Sequence, residues 1–281
     1  MLKTMFDNIT LAVSTQWHAF PDRFDWIAEN GFAMAYTPNA LQLELTKKHI
    51  EPYLKNGRSV RHHGYFPGFE LGHNDPQLAE QALSLHMKSV NAMTGLGDQV
   101  MTVHIGLVPY ISLDHTRVIK NLSRLVDYAK ERGVTISLEN LRFGPTSNPK
   151  TMLKWSEESG ATITLDVGHA VSCDRVRKGE LTVTHIIELF EHNLEEVHFY
   201  EYETDIHYAP KDMSILGPIV DSLLETQCKW WTIELISYED ILNTRNLINE
   251  YLIENKAKLP HKPHASHREK PFLKTNQEIF R

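Results

Sequence analysis

Only two cysteines, Cys173 and Cys228, occur in 281 residues. That is too few for a disulfide framework and points to a reducing compartment. No run approaches the roughly 18 apolar residues of a membrane-spanning helix. Residues 1–13 have no basic segment followed by a long apolar one, so no secretory signal is read there. These absences set the expectation of a soluble, cytoplasmic protein with no membrane partner. Positive charge is also scarce: 29 Lys and Arg against 36 Asp and Glu leave a formal net charge of −7. That balance argues against a general nucleic-acid coat. No Gly-x-Gly-x-x-Gly follows an early strand, which removes the usual dinucleotide-binding fingerprint.

What the chain has in plenty is histidine, with 16 copies, set within a regular alternation of short apolar runs and amphipathic stretches. Strands are expected at residues 8–14, 32–37, 58–63, 100–105, 134–139, 161–166, 194–200 and 230–235. Helical patterns follow each of them: from 21 to the Asn30-Gly31 stop, then 46–56, 76–93, about 114–132, 149–159, 182–193, 214–226 and 238–255. Eight strand–helix units in strict alternation predict an α/β fold, a single (β/α)8 TIM barrel over residues 1–258. Residues 259–281, rich in His, Lys and Pro and without periodicity, read as a C-terminal extension whose His261, His264 and His267 are solvated.

In such a barrel the chemistry gathers where strands end at the C-terminal face. The strand ends here carry His63, His104, Glu139, Asp166, His198 and Glu234. Side chains two apart share a strand face. Thr102 precedes His104 in this way, Ser137 precedes Glu139, Thr164 precedes Asp166 and Thr232 precedes Glu234, so these groups are expected in one mouth. The same rule selects His63, which shares a polar face with Ser59 and Arg61, over His62, which goes with Val60. Beyond the strand ends lie His169, three residues after Asp166, and the pair Asp205 and His207. Acid and imidazole groups in this number suit zinc, or manganese where carboxylates dominate. A lone histidine at a strand end is ordinary core or surface, and that reading is kept for His18, His73, His86, His115 and His192. Six strand ends carrying such groups by chance is far less common. Arg61, Arg142, Lys211 and the basic run from Asp174 to Lys178 are assigned to the mouth or the loops above it, where they would meet a phosphate-bearing substrate.

Five segments carry a resemblance: SLEN at 137–140, LDVGHA at 165–170, VHFYE at 197–201, DIHYAP at 205–210 and TIEL at 232–235. Across residues 8–255 the chain resembles the xylose isomerase-like TIM barrel superfamily, which holds sugar isomerases and epimerases and the endonuclease IV enzymes (AP endonuclease family 2). The resemblance implies one divalent-metal site from Glu139, Asp166, His198 and Glu234. The endonuclease IV-like pattern adds a second metal at His63, His104 and a bridging Glu139, and a third at His169, Asp205 and His207. One to three Zn2+ or Mn2+ ions are therefore implied.

Two reactions follow from the resemblance. In one, Glu139 and Glu234 face each other across a bound sugar or sugar phosphate and move a proton between adjacent carbons. In the other, a trinuclear zinc site hydrolyses phosphodiesters. The extended endonuclease motifs are missing, and no basic stripe interleaved with aromatics tracks a nucleic acid. The expected activity is accordingly that of a metal-dependent isomerase or epimerase on a small-molecule substrate, with the zinc phosphodiesterase as the alternative. A third reading, a binding protein with a structural or vestigial metal site, remains beside them.

Overall fold

The computed structural model describes residues 9–16 and 21–255; the expected extension at 259–281 and His18 lie outside the described residues. Eight parallel strands close into a barrel in the order β1 (Thr10–Ser14), β2 (Ala33–Tyr36), β3 (Val60–Gly64), β4 (Val100–Val103), β5 (Thr135–Glu139), β6 (Thr162–Asp166), β7 (Leu194–Phe199) and β10 (Trp230–Ile233), which pairs back onto β1. Between β7 and β10 the chain inserts a two-stranded antiparallel hairpin, β8 (Tyr202–Glu203) and β9 (His207–Tyr208). The outer helices are α1 (Asp22–Glu29), α2 (Thr46–Lys55), α3 (Pro76–Met93), α4 (His115–Lys130), α5 (Pro149–Ser159), α8 (Val183–Phe190), α9 (Leu216–Leu224) and α10 (Tyr238–Asn255). Two short helices, α6 (Val167–Ser172) and α7 (Asp174–Arg177), follow β6 directly. All eight expected strands and their helices are present; the hairpin and the two short helices are additions that the periodicity did not announce.

Local chemistry explains where the helices start. Asp75 and Asn148 accept from the backbone N–H groups of Gln77 and Lys150, each just ahead of a proline at the first helical position. Asp114 and Thr182 cap α4 and α8 in the same manner. The strand faces then sort the core. Outward residues such as Met101, Val103, Ile136, Leu138, Ile163, Leu165, Val197 and Trp231 pack against the helices in one cluster of buried side chains. The inward face is polar. Thr102 and Thr164 meet at 2.8 Å and Thr164 donates to Ser137 at 2.7 Å, forming a hydroxyl layer inside the barrel. The strand-end histidines and acids follow two residues on, and Glu196 is level with Thr164 in register.

The seam between the first and last strands is fastened by Arg23 of α1, whose side chain is fully buried. Its guanidinium donates to the carbonyls of Ser14 at 3.1 and 3.2 Å, Leu235 at 2.7 Å and Ile236 at 3.2 Å. Its carbon Cζ stands 5.1 Å from the centre of the Tyr238 ring. Burial lowers its pKa to about 10, which still leaves it charged at neutral pH. Arg23→Met would leave buried carbonyls at the seam without donors. It is expected to destabilise the fold by about 3 kcal/mol, read as a lower urea midpoint at unchanged slope; a midpoint within error of the parent would show that the seam does not depend on this residue.

Candidate metal centre

Six side chains converge at the C-terminal mouth because each occupies the last inward position of its strand or the position just beyond it. His63 of β3, Glu139 of β5, Asp166 of β6 and His198 of β7 lie in strands, while His104 and Glu234 directly follow β4 and β10. All six are buried. His104 Nε2 lies 3.0 Å from Glu139 Oε2, His63 Nε2 lies 3.4 Å from the same oxygen, and the two imidazole nitrogens are 3.2 Å apart. His198 Nδ1 stands between Glu139 Oε2 at 3.2 Å and Glu234 Oε1 at 3.5 Å. His169 of α6 brings Nδ1 to 3.5 Å from Asp166 Oδ2. Asn140 locks the ends of β5 and β6 together: it accepts from the Asp166 N–H at 2.8 Å and donates to the Asp166 carbonyl at 2.9 Å.

The imidazoles share one orientation. In each, one ring nitrogen faces an acceptor away from the centre: Gly64 O for His104, Asn140 O for His169, Glu234 O for His207 and Glu196 Oε1 for His198. A neutral ring that donates there turns its lone pair inward. For His104, His169 and His198, carboxylate oxygens of Glu139, Glu203 and Glu234 stand within 3.0–3.5 Å of the inward nitrogens. A lone pair against an anionic oxygen is repulsive unless a proton or a cation lies between them. The buried atoms Glu139 Oε2, Asp166 Oδ2, His198 Nδ1, Glu203 Oε2 and Glu234 Oε1 all lack a hydrogen-bond partner. Orphans of this kind are costly one by one; together they fit a divalent cation. Three-residue groups with ligand atoms close enough for one ion are His63, His198 and Glu234; His63, His104 and Glu139; Glu139, Asp166 and His169; and His169, Glu203 and His207.

The electrostatics follow from this crowding. Burial alone would raise the Glu139 carboxyl, but the His104 and His198 imidazoles hold it well below the usual carboxylate range. Burial pushes the Asp166 carboxyl up to about 7, with His169 opposing and Glu139 and Glu234 adding to the shift. Burial works to lower His198, yet Glu234, Glu139 and Glu196 raise it well above its ordinary value. Partial burial lowers His207, with Glu234 opposing the shift.

Several expectations need correction. Arg61 is not at the mouth. Lying two residues before His63 on the same face, it sits one side-chain layer deeper, toward the strand starts. There it donates to Glu195 O at 3.0 Å and Glu195 Oε1 at 3.1 Å, and it approaches Glu196 Oε2 at 3.5 Å. Lys211 is exposed and does not line the mouth cavity. Asp205 is also exposed: it lies in the turn between β8 and β9 and lines the outer cavity. Glu203 takes its place beside His169 and His207, because hairpin pairing sets Glu203 directly opposite His207. Arg142 does reach the mouth, where Nη1 donates to Glu203 O at 3.1 Å and Nε lies 3.4 Å from Glu203 Oε2. Glu196 was missed. It receives a hydrogen bond from Thr232 at 2.8 Å and faces His198 Nε2 at 3.3 Å, so it orients that imidazole from behind. Its signal was present: an acid two positions before His198, where the other strands carry a hydroxyl.

Above these groups opens a cavity of 240 Å³, lined by His63, His104, Glu139, His169, Glu203 and Glu234 among others. Tyr200 buttresses one wall. Its ring stacks on His207 with centroids 3.8 Å apart, and a Cβ on Gly168 would fall 2.0 Å from that ring, so only glycine fits beneath it.

Comparison with known proteins supports the architecture. The chain is 32% identical over 157 residues to the uncharacterized protein MJ0008 of Methanocaldococcus jannaschii, a match that covers 56% of this chain and 68% of that one. Its fold is similar to the crystal structure of a D-tagatose 3-epimerase-like protein, with TM-score 0.75 and 19% identity over 89% of this chain and 99% of the other. It is likewise similar to an L-ribulose 3-epimerase, with TM-score 0.69 and 16% identity over 91% and 100%. At these identities the two structural likenesses are of fold. The model of the xylose isomerase-like TIM barrel family matches residues 23–213, more than half of the sequence; the chain belongs to that family.

Proposed function

We infer that the protein is a divalent-metal-dependent isomerase or epimerase of a sugar or sugar phosphate. The observation that carries this reading is the placement of Glu139 and Glu234 on either side of His198 Nδ1, at 3.2 and 3.5 Å, beneath a cavity that both acids line. The cavity is smaller than the roughly 300–1,000 Å³ of drug-sized sites, which suits a small polar molecule. The sugar epimerases among proteins of similar fold support the same substrate class.

Glu139, Asp166, His198 and Glu234 would hold the cation, which supplies electrostatic stabilisation of negative charge building on a substrate oxygen. The remaining work falls to the chain. One glutamate takes the proton from the carbon beside the substrate carbonyl, and the other returns a proton from the opposite side. Glu196 fixes His198 so that Nδ1 points inward, and the hydroxyl layer of Thr102, Ser137 and Thr164 keeps the floor rigid. Glu203 already faces Arg142, whose Nε lies 3.4 Å from Oε2, so part of its charge is compensated without a third ion.

One specific observation favours the trinuclear phosphodiesterase as second reading: His63 and His104 both converge on Glu139 Oε2, beyond what a single-ion site needs. Metal content separates the readings. Elemental mass spectrometry on protein purified without chelator or metal-affinity tag is expected to find about one Mn2+, Mg2+ or Zn2+ per chain; two to three zinc ions would move the assignment to hydrolysis.

Proton transfer has its own readout. In D2O with a panel of ketoses and ketose phosphates, the protein is expected to exchange the carbon-bound hydrogen next to the carbonyl. Glu139→Gln and Glu234→Gln should each slow that exchange by about a hundredfold or more, and unchanged exchange in either variant would remove that glutamate from the mechanism.

The pH dependence of metal binding has a defined sign. A carboxyl raised on folding stabilises the metal-free protein fully below its ordinary value of 3.8, and this contribution is lost as pH rises to about 7. A cation that takes Asp166 as ligand must displace that proton, so affinity should weaken about tenfold per pH unit below 7 on this account. Calorimetric titration of the chelator-treated protein with Mn2+ on either side of that value should show this trend with proton release, and a flat profile would exclude Asp166 as a protonated ligand.

A further inference from the structure

Beside the metal-ligand cavity lies a second one of 420 Å³, walled by the loop after β5 and by the segment that runs from α6 into α7. The two cavities share Arg142 and Phe143. Their charges are opposite. The first is lined by Glu139, Glu203, Asp205 and Glu234, whereas the second gathers Arg142, Arg175 and Arg177 around a single acid, Asp174. Asp174 is itself drawn toward Lys178 at 3.3 Å. On a chain of net charge −7, three arginines on one small concavity are a local reversal of sign.

We propose that this second cavity is a phosphate-binding subsite and that the substrate handled at the metal centre is a phosphate monoester of a sugar. The inference rests on the isomerase reading. A dianion entering the acidic mouth would be repelled by the glutamates there, and the adjoining arginines give it a place within reach of the same molecule's reacting carbons. The donors are available. Arg142 spends Nε and Nη1 on Glu203, which leaves Nη2 for a ligand. Arg175 is held by long contacts, 3.4 Å to Asn148 Oδ1 and 3.7 Å to Glu180 Oε2. No carboxylate among the described residues pairs with Arg177. The buried hydroxyl of Ser172 accepts from the Glu203 N–H at 2.7 Å, and its own proton is free to donate into the cavity it lines. Guanidinium groups that line one cavity from the loop after β5 and from α7 match the several oxygens of a phosphate better than one carboxylate.

The test compares the metal-loaded parent with Arg175→Gln/Arg177→Gln and with Arg177→Gln alone, each checked for unchanged metal content and melting temperature. Inorganic phosphate is titrated into each by calorimetry, and hydrogen exchange in D2O is followed with D-fructose 6-phosphate and D-fructose. Phosphate affinity is expected to fall about tenfold or more in the double variant, and exchange of the phosphorylated sugar should fall without loss for the free sugar. Equal phosphate affinity in parent and double variant would overturn the subsite. Phosphate binding that depends on the arginines, with no exchange on any sugar, would support the subsite and overturn the isomerase reading instead. An abasic oligonucleotide that loses affinity by the same factor while inorganic phosphate does not would give the arginines to a nucleic-acid backbone and overturn the sugar phosphate. Should the double variant unfold, the single Arg177 variant, at an exposed position, carries the same comparison.

Discussion

Four carboxylates buried within one barrel, Glu139, Asp166, Glu196 and Glu234, set the terms for everything around them. Anions out of water are tolerable only when partnered. The barrel answers with two kinds of partner. At the strand starts a permanent charge, Arg61, stands beside Glu196. At the strand ends the partners are imidazoles, which present lone pairs as readily as protons. Glu196 therefore has a permanent cation beside it, while the upper end stays short of positive charge until a cation or protons supply it. Burial, with Glu139 and Glu234 adding to it, raises Asp166, and Glu234 and Glu139 raise His198, which expresses that shortage.

The supporting parts are arranged to hold that unstable grouping still. Outward strand faces commit the barrel to the helices through an apolar layer, so the inward faces can be spent on polar groups without cost to the main core. The hydroxyl layer lets β4, β5 and β6 satisfy one another's side chains. Asn140 fixes the spacing of β5 and β6 at the height where both acids emerge. The stack of Gly168, Tyr200 and His207 braces the far wall.

Much of this was readable from the chain. Apolar runs with helical intervals gave the eight units, and the two-residue face rule chose His63 over His62 correctly: His62 points out to Leu96 O at 3.0 Å, while His63 faces Glu139. The same rule failed for Arg61 because it fixes a face and says nothing of depth; two residues earlier means one layer lower. Asp205 was chosen for its spacing to His207, but a tight hairpin exchanges that neighbour for the residue paired across it, Glu203. Such pairing depends on where the turn falls, which short polar segments do not announce. The basic run after α6 was visible as charge, yet only the fold shows that it shares a wall with the acidic mouth.

The order of the ligands along the chain has a consequence for how the molecule comes into being. They begin at His63 and end at Glu234, one residue past β10, the strand that pairs with β1. Without β10 the sheet would be open at two edges, and the strand that closes it also delivers the final acid. Ring closure and completion of the candidate cation site thus coincide. An ion bound to the full set would favour the closed ring over every partly made sheet, and so would act as a clasp on the seam that Arg23 holds from outside.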